Sequence, residues 1–168
     1  MEESIMDQLN MPQMEAENLP SSNKIDFIEE IKKQFQLEPA EAVSYSPLVL
    51  AYLGDCVYEM LLRTVIVCHG NTSVNRLNQK TSYYAKATTQ SEIMKYIMNE
   101  LTEEEIRIFK RGRNAKSVTV AKHASMIDYR IATGFEALIG YLYLKGNYNR
   151  LVTLVQSGIR HLETISNG

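Results

Sequence analysis

The sequence predicts an all-α fold of about seven helices. Apolar residues recur at helical spacing along most of the chain. Helix start and stop signals punctuate it at short intervals. No alternating pair of segments reads as a hairpin, and eight Gly and four Pro in 168 residues are too few for a turn-dense β-sandwich.

Each element has a local reason. Ile25, Ile28, Ile31 and Phe35 make one apolar face over residues 24–36, which Glu38-Pro39 ends. Ser46-Pro47 opens a second helix, with Pro at its first position, running to Cys68. That helix is apolar nearly all round, which marks it as the central buried element. His69-Gly70-Asn71 stops it, and Thr72 can cap a short helix over 73–80. Ser82 to Glu100 reads as another, with Tyr83, Tyr84, Ile93, Tyr96 and Ile97 as apolar members. Thr102 and Glu105 form a capping box, and Gly112 reads as the stop of the helix they open. Residues 112–124 have no apolar period and read as a loop. Ser125 opens a long helix to Lys145, stopped by Gly146, and Asn147 caps a last one to about Ile165.

The formal net charge of −2 hides an asymmetry. Residues 1–46 hold ten acids and three bases, a net of −7; residues 47–168 hold ten acids and fifteen bases, a net of +5. An acidic front and a basic body point toward an anionic partner. Residues 1–22 have no basic start and no apolar core, so they are not a secretory signal and read as a disordered acidic lead. Residues 23–46 read as an amphipathic helix and a linker. Leu48 to Cys68 is long and apolar, but it contains Asp55, Glu59 and Arg63. Each charge near a membrane centre costs roughly 2.5–3.5 kcal/mol, so a soluble helix is favoured and no membrane partner is expected. Cys56 and Cys68 lie about 18 Å apart along that helix, too far to bridge, which fits reduced thiols in a cytoplasmic protein.

Two isolated acids stand out. Asp55 follows Gly54 among Leu53, Val57 and Tyr58, a setting that reads as buried. Gly in a helix interior costs about 1 kcal/mol relative to Ala, which points to a close approach there. Glu136 is the only acid between 129 and 162, and Gly134 and Gly140 flank it. Two carboxylates meeting across a helix crossing repel unless a divalent cation sits between them; otherwise each finds its own base or backbone donor. Asp55, Glu59 and Arg63 share one helix face, and Glu59 with Arg63 reads as an ordinary ion pair. Residues 107–122 hold six Lys or Arg and no acid. Such a run is often only a solvated face, but Arg forks and Asn114 and Ser117 suit phosphate oxygens. No Gly-rich phosphate loop, GxSxG or HExxH occurs, and the three His have no ligand spacing.

At these residues the chain resembles a known family. Leu50-Ala-Tyr-Leu-Gly-Asp55-Cys-Val-Tyr-Glu59, Lys110-Arg-Gly-Arg-Asn-Ala-Lys-Ser117 and Phe135-Glu-Ala-Leu-Ile-Gly-Tyr-Leu142 together resemble Mini-ribonuclease III, the ribonuclease III-like enzymes without a double-stranded RNA-binding domain. The resemblance covers about residues 45–163 and implies a ribonuclease III endonuclease-domain-like helical fold, with 47–165 as the catalytic domain. It implies a homodimer that cleaves double-stranded RNA with Mg2+, giving 5′-phosphate ends. The implied substrate is the set of stems flanking 23S ribosomal RNA, with a large-subunit ribosomal protein as a further partner. Asp55 and Glu136 match the family's acids and become the catalytic, metal-holding pair, with Glu59 as an outer-shell acid. Lys110, Arg111, Arg113, Asn114 and Lys116 become the RNA clamp.

The sequence also departs from the wider ribonuclease III signature. Ala51 stands where the first acid of one block is found, and Thr133 where the Asp of the other is. A caged two-metal site is therefore not expected. The same two departures motivate the alternative of a non-catalytic RNA-binding relative.

Overall fold

A computed structural model describes residues 26–116 and 125–166. Among the described residues there are seven α-helices and no strand: α1 (Phe27–Gln34), α2 (Pro47–Cys68), α3 (Val74–Ala85), α4 (Ala87–Ile97), α5 (Glu103–Arg113), α6 (Met126–Leu144) and α7 (Tyr148–Ser166). Two single 3-10 turns, Ala42–Ser44 and Met98–Glu100, complete them. The expected acidic lead at 1–22 and residues 117–124 of the expected loop lie outside the described residues.

Most boundaries follow the capping chemistry. Ser46 accepts from the Val49 amide and Ser125 from the Asp128 amide, at 3.3 and 3.0 Å. Thr102 and Glu105 exchange both bonds of the capping box. Gly146 adopts φ +71°, and the amides of Gly146 and Asn147 bond back to Tyr143 and Leu142, which closes α6 in a Schellman turn. Both boundaries of α3 differ from the sequence reading. Helix α3 is capped by Ser73 rather than Thr72, and it runs on to Ala85, where extended Lys86 separates it from α4. The break falls there because the Tyr58 hydroxyl donates to the Tyr84 carbonyl, at 3.1 Å, and so fixes the end of α3 on α2.

Gly112 does not end α5. The helix continues to Arg113 and closes on Asn114. A Cβ at Gly112 would lie 2.7 Å from the Ala137 Cβ and 2.9 Å from the Gly134 Cα, so this glycine lets α5 press onto α6.

The centre of the fold is α6, not α2. From Ala132 to Leu142 every α6 residue except Glu136 is buried, and α2, α4 and α5 all pack on this helix. Phe135 and Tyr58 meet edge to face at 5.1 Å, both without exposed surface. Side chains buried to this degree contribute about 1.5–3 kcal/mol each. Helix α2 gives α6 only one face. Its other face leaves Val49, Tyr52, Cys56 and Met60 exposed, which corrects its expected role as the central buried helix.

The two helices touch at glycine. A Cβ on Gly54 would stand 1.8 Å from the Glu136 carbonyl oxygen, and one on Gly140 would stand 2.0 Å from the Leu50 carbonyl oxygen. Backbone therefore meets backbone at this crossing. Gly54→Ala is expected to lower the unfolding free energy by about 3 kcal/mol despite its better helix propensity, because the Glu136 carbonyl it meets is fixed within α6 and cannot retreat. Urea denaturation measures it, and a variant as stable as the wild type would contradict the crossing.

Candidate active site

The glycine crossing brings the two acids together. Asp55 follows Gly54 on α2, and Glu136 is the residue whose backbone Gly54 touches on α6. Glu136 is largely enclosed, and burial together with the Asp55 charge pushes its carboxyl up to about 8. Hydrogen bonding from the Gln90 side chain pulls the other way. Asp55 is raised above its usual range by partial burial and by the charge of Glu59, one helical turn on. Like charges crowd this end of the crossing, a situation that a cation between the acids relieves.

Asp55 is not buried as the sequence reading expected. It is exposed on the single chain, at the border of the open face of α2. Its neighbours Leu53 and Val57 turn inward to a greater degree, because residues two apart on a helix point to different sides.

The donor chemistry fits a hard divalent cation. Two carboxylates converge with an amide side chain, and among the described residues no His or Cys joins them. Gln90 is 1% exposed, and its Oε1 has no hydrogen-bond partner among the described residues. A buried acceptor without a donor is unusual, and a cation or its water would satisfy it. Among the described residues no group of three or more His, Cys, Asp or Glu converges. The described residues thus offer two carboxylates, which leaves most positions to water and substrate. Mg2+ is commonly held in this manner. Ala51 has no donor, and the Thr133 hydroxyl donates to the Tyr129 carbonyl at 3.0 Å, so neither replaces the acids absent from their positions.

Glu59 is committed elsewhere. Arg63 grips its carboxylate through Nε and Nη2, at 3.1 and 2.9 Å. Glu59 thus acts on Asp55 through its charge, across one turn.

The five basic-segment residues do not form one surface. Lys110, Asn114 and Lys116 are exposed at the end of α5. Arg113 is half-buried, lies over the Phe109 ring at 5.6 Å and donates to Asn114 Oδ1. Arg111 turns away and donates to the carbonyls of Val43 and Tyr45, at 2.8 and 2.9 Å. Its fork ties the linker to α5.

Sequence reasoning missed two features. Gln90 carries no motif, and its signal is structural: a lone amide on a helix face that packs against α6. The second is charge. From residue 60 to 91 the chain has no acid and holds Arg63, Arg76, Lys80 and Lys86. Counting charge in windows rather than halves would have found it.

Comparison with known proteins supplies a family. The pattern described as Ribonuclease III domain matches residues 48–147. The chain is similar to Mini-ribonuclease 3 of Clostridium tetani (strain Massachusetts / E88), 51% identical over 122 residues that cover 72% of this chain and 81% of the relative. It is 48% identical over 121 residues to Mini-ribonuclease 3 of a Thermoanaerobacter species, covering 72% and 85%. A crystal structure of a Fusobacterium nucleatum protein superposes with a TM-score of 0.67 at 32% identity, covering 73% of this chain and 98% of that one.

The electrostatics of the pair set a pH dependence. In the cation-free protein the folded state keeps a proton on Glu136 up to about pH 8, whereas the unfolded chain releases it near 4.5. The folded state then binds more protons, so stability falls as pH rises through that window. Glu136→Gln is expected to flatten the fall. Melting temperatures in chelator from pH 5 to 8 measure this; parallel curves for the two proteins would refute it.

Proposed function

The chain belongs to the ribonuclease III family, in its Mini-ribonuclease 3 group, and from that premise we propose that it is a Mg2+-dependent endonuclease of double-stranded RNA. One observation carries the reading: Asp55 and Glu136 meet at the glycine crossing, where burial and the charge of Asp55 hold the Glu136 carboxyl above its usual range. Both hold the cation in this reading. When bound, the cation supplies a water acidic enough to attack phosphorus and neutralises charge on the phosphate oxygens. Asp55, at the open edge, orients the site toward substrate, and Glu136, fixed in the core, anchors it. The products are 5′-phosphate and 3′-hydroxyl ends. Residues 47–165 are the catalytic domain.

Two surfaces supply the grip. Lys110, Asn114 and Lys116 face solvent at the end of α5 and are suited to phosphates. Arg113 stiffens that end against Phe109. The open face of α2 carries Val49, Tyr52 and Met60, with Tyr52 84% exposed, beside Asp55. A second copy of the chain covers this face in our reading, and its two-fold axis brings two sites together, one for each RNA strand. The substrate is the pair of stems flanking 23S ribosomal RNA, and a large-subunit ribosomal protein is a further partner. No helix among the described residues is long and apolar enough to cross a membrane, and exposed, unpaired Cys56 and Cys68 suit the reducing cytoplasm.

Asp55→Asn is expected to abolish cleavage of a duplex RNA stem in Mg2+, while RNA retention persists. Cleavage by this variant at the wild-type rate would defeat the assignment. A wild-type protein that binds the duplex and never cuts it would favour the non-catalytic alternative. For the clamp, Lys110→Ala with Lys116→Ala should reduce the slope of log K against log salt by about one for each phosphate that the variant no longer neutralises. Arg111→Ala should leave that slope in place and lower the melting temperature, since its fork holds the linker. A slope unmoved by the double lysine change would place the clamp elsewhere.

A further inference from the structure

The family reading uses two acids and leaves Gln90 unexplained. This side chain is almost wholly enclosed on α4, yet it is not satisfied there. Its Nε2 reaches the Ala85 carbonyl only at 3.5 Å, and the side chain lies near enough to Glu136 to pull that carboxyl downward against burial. Its Oε1 is buried and accepts from no donor among the described residues. A glutamine kept only to pin the α3–α4 junction would not need a place beside a carboxylate. That junction is already held by Tyr58 on the Tyr84 carbonyl, at 3.1 Å. A leucine would suit a helix whose buried face includes Ile93 and Met94, and it would leave no orphaned oxygen. No third carboxylate comes to Asp55 and Glu136 among the described residues. Thr133 has turned its hydroxyl onto the Tyr129 carbonyl.

We propose that Gln90 is the third side chain of the cation site, a positioning residue whose amide N–H steadies the Glu136 carboxylate and whose buried Oε1 is kept for the hydrated cation. The inference rests on the reading of Asp55 and Glu136 as the cation's ligands. A neutral oxygen suits the position, because it adds an acceptor without adding a third negative charge to a pair that already repels. The amide also has both functions at once: one end donates to a ligand while the other accepts. Neither a carboxylate nor a hydrocarbon at residue 90 can do both.

The test uses the full chain without RNA. Mn2+ is titrated calorimetrically into the wild type, Gln90→Leu, Gln90→Glu and Asp55→Asn, and melting temperatures are read in chelator. Gln90→Leu is expected to weaken Mn2+ binding about ten- to one-hundredfold, the range for groups that orient a metal ligand, while melting no lower than the wild type. Gln90→Glu is expected to bind Mn2+ more weakly than the wild type, because it loses the N–H that steadies Glu136. Wild-type affinity in Gln90→Leu overturns the proposal. If Asp55→Asn loses the cation in that case, the ligand reading stands and Gln90 alone falls. If Asp55→Asn also binds as the wild type does, both fall. Should Gln90→Leu not fold, Gln90→Glu decides: weaker binding supports the proposal, and unchanged or tighter binding overturns it.

Discussion

The site depends on one contact between two backbones. Gly54 and Gly140 let α2 and α6 approach until amide and carbonyl groups touch, nearer than any side chain permits. The two carboxylates are then neighbours as a consequence of chain path rather than of flexible side-chain reach. Gly54 immediately precedes Asp55, and Glu136 is one turn before Gly140, so both acids sit within about a turn of the contact. Most of the surrounding packing serves to hold that crossing. Tyr58 and Phe135 close edge to face beside it, and Leu50, Leu62, Leu138 and Leu142 are buried along the two helices.

The crossing also stores an electrostatic conflict. Burial and the Asp55 charge push Glu136 up to about 8, and Glu59 adds to the pressure on Asp55. A fold built for stability alone would not place an enclosed acid beside another and an unsatisfied amide oxygen nearby. By contrast, the buried acid in the capping box, Glu105, is given Arg150 at 2.9 Å, and its carboxyl is lowered. One chain thus treats two enclosed glutamates in opposite ways. Glu105 receives its cation from the protein. Glu136 does not, and under the proposed function the cation would come from outside.

Much of this was legible in the sequence, for definable reasons. Caps are local chemistry, so Ser46, Thr102 and Ser125 announced α2, α5 and α6 correctly. The isolation of Asp55 and Glu136 among apolar residues, with glycines beside them, announced the crossing. What failed was whatever depended on partners distant in sequence. Gly112 reads locally as a helix stop, and only its contact with Gly134 and Ala137 shows why the helix continues. Arg111 reads as one of a basic run, and only the carbonyls of Val43 and Tyr45, 68 and 66 residues earlier, separate it from Lys110. The apolar character of α2 reads as burial, although one side of it faces outward. Gln90 had no local signal, because an amide becomes informative only when its surroundings are known.

Gly112 and Gly134 repeat, on the other side of α6, what Gly54 and Gly140 do on the first. A Cβ at Gly134 would fall 2.6 Å from the Phe109 ring, and the same ring carries the Arg113 guanidinium. The basic end of α5 is therefore seated on α6 two residues from Glu136. A clamp on a free loop would hold RNA at a variable distance from the chemistry and lose the advantage of a fixed approach. In the proposed reading the phosphate-binding end and the anchored acid share one helix as their reference. Any backbone that Lys110 and Asn114 gripped would be held in register with Glu136 by the same close packing that sets Asp55 opposite it.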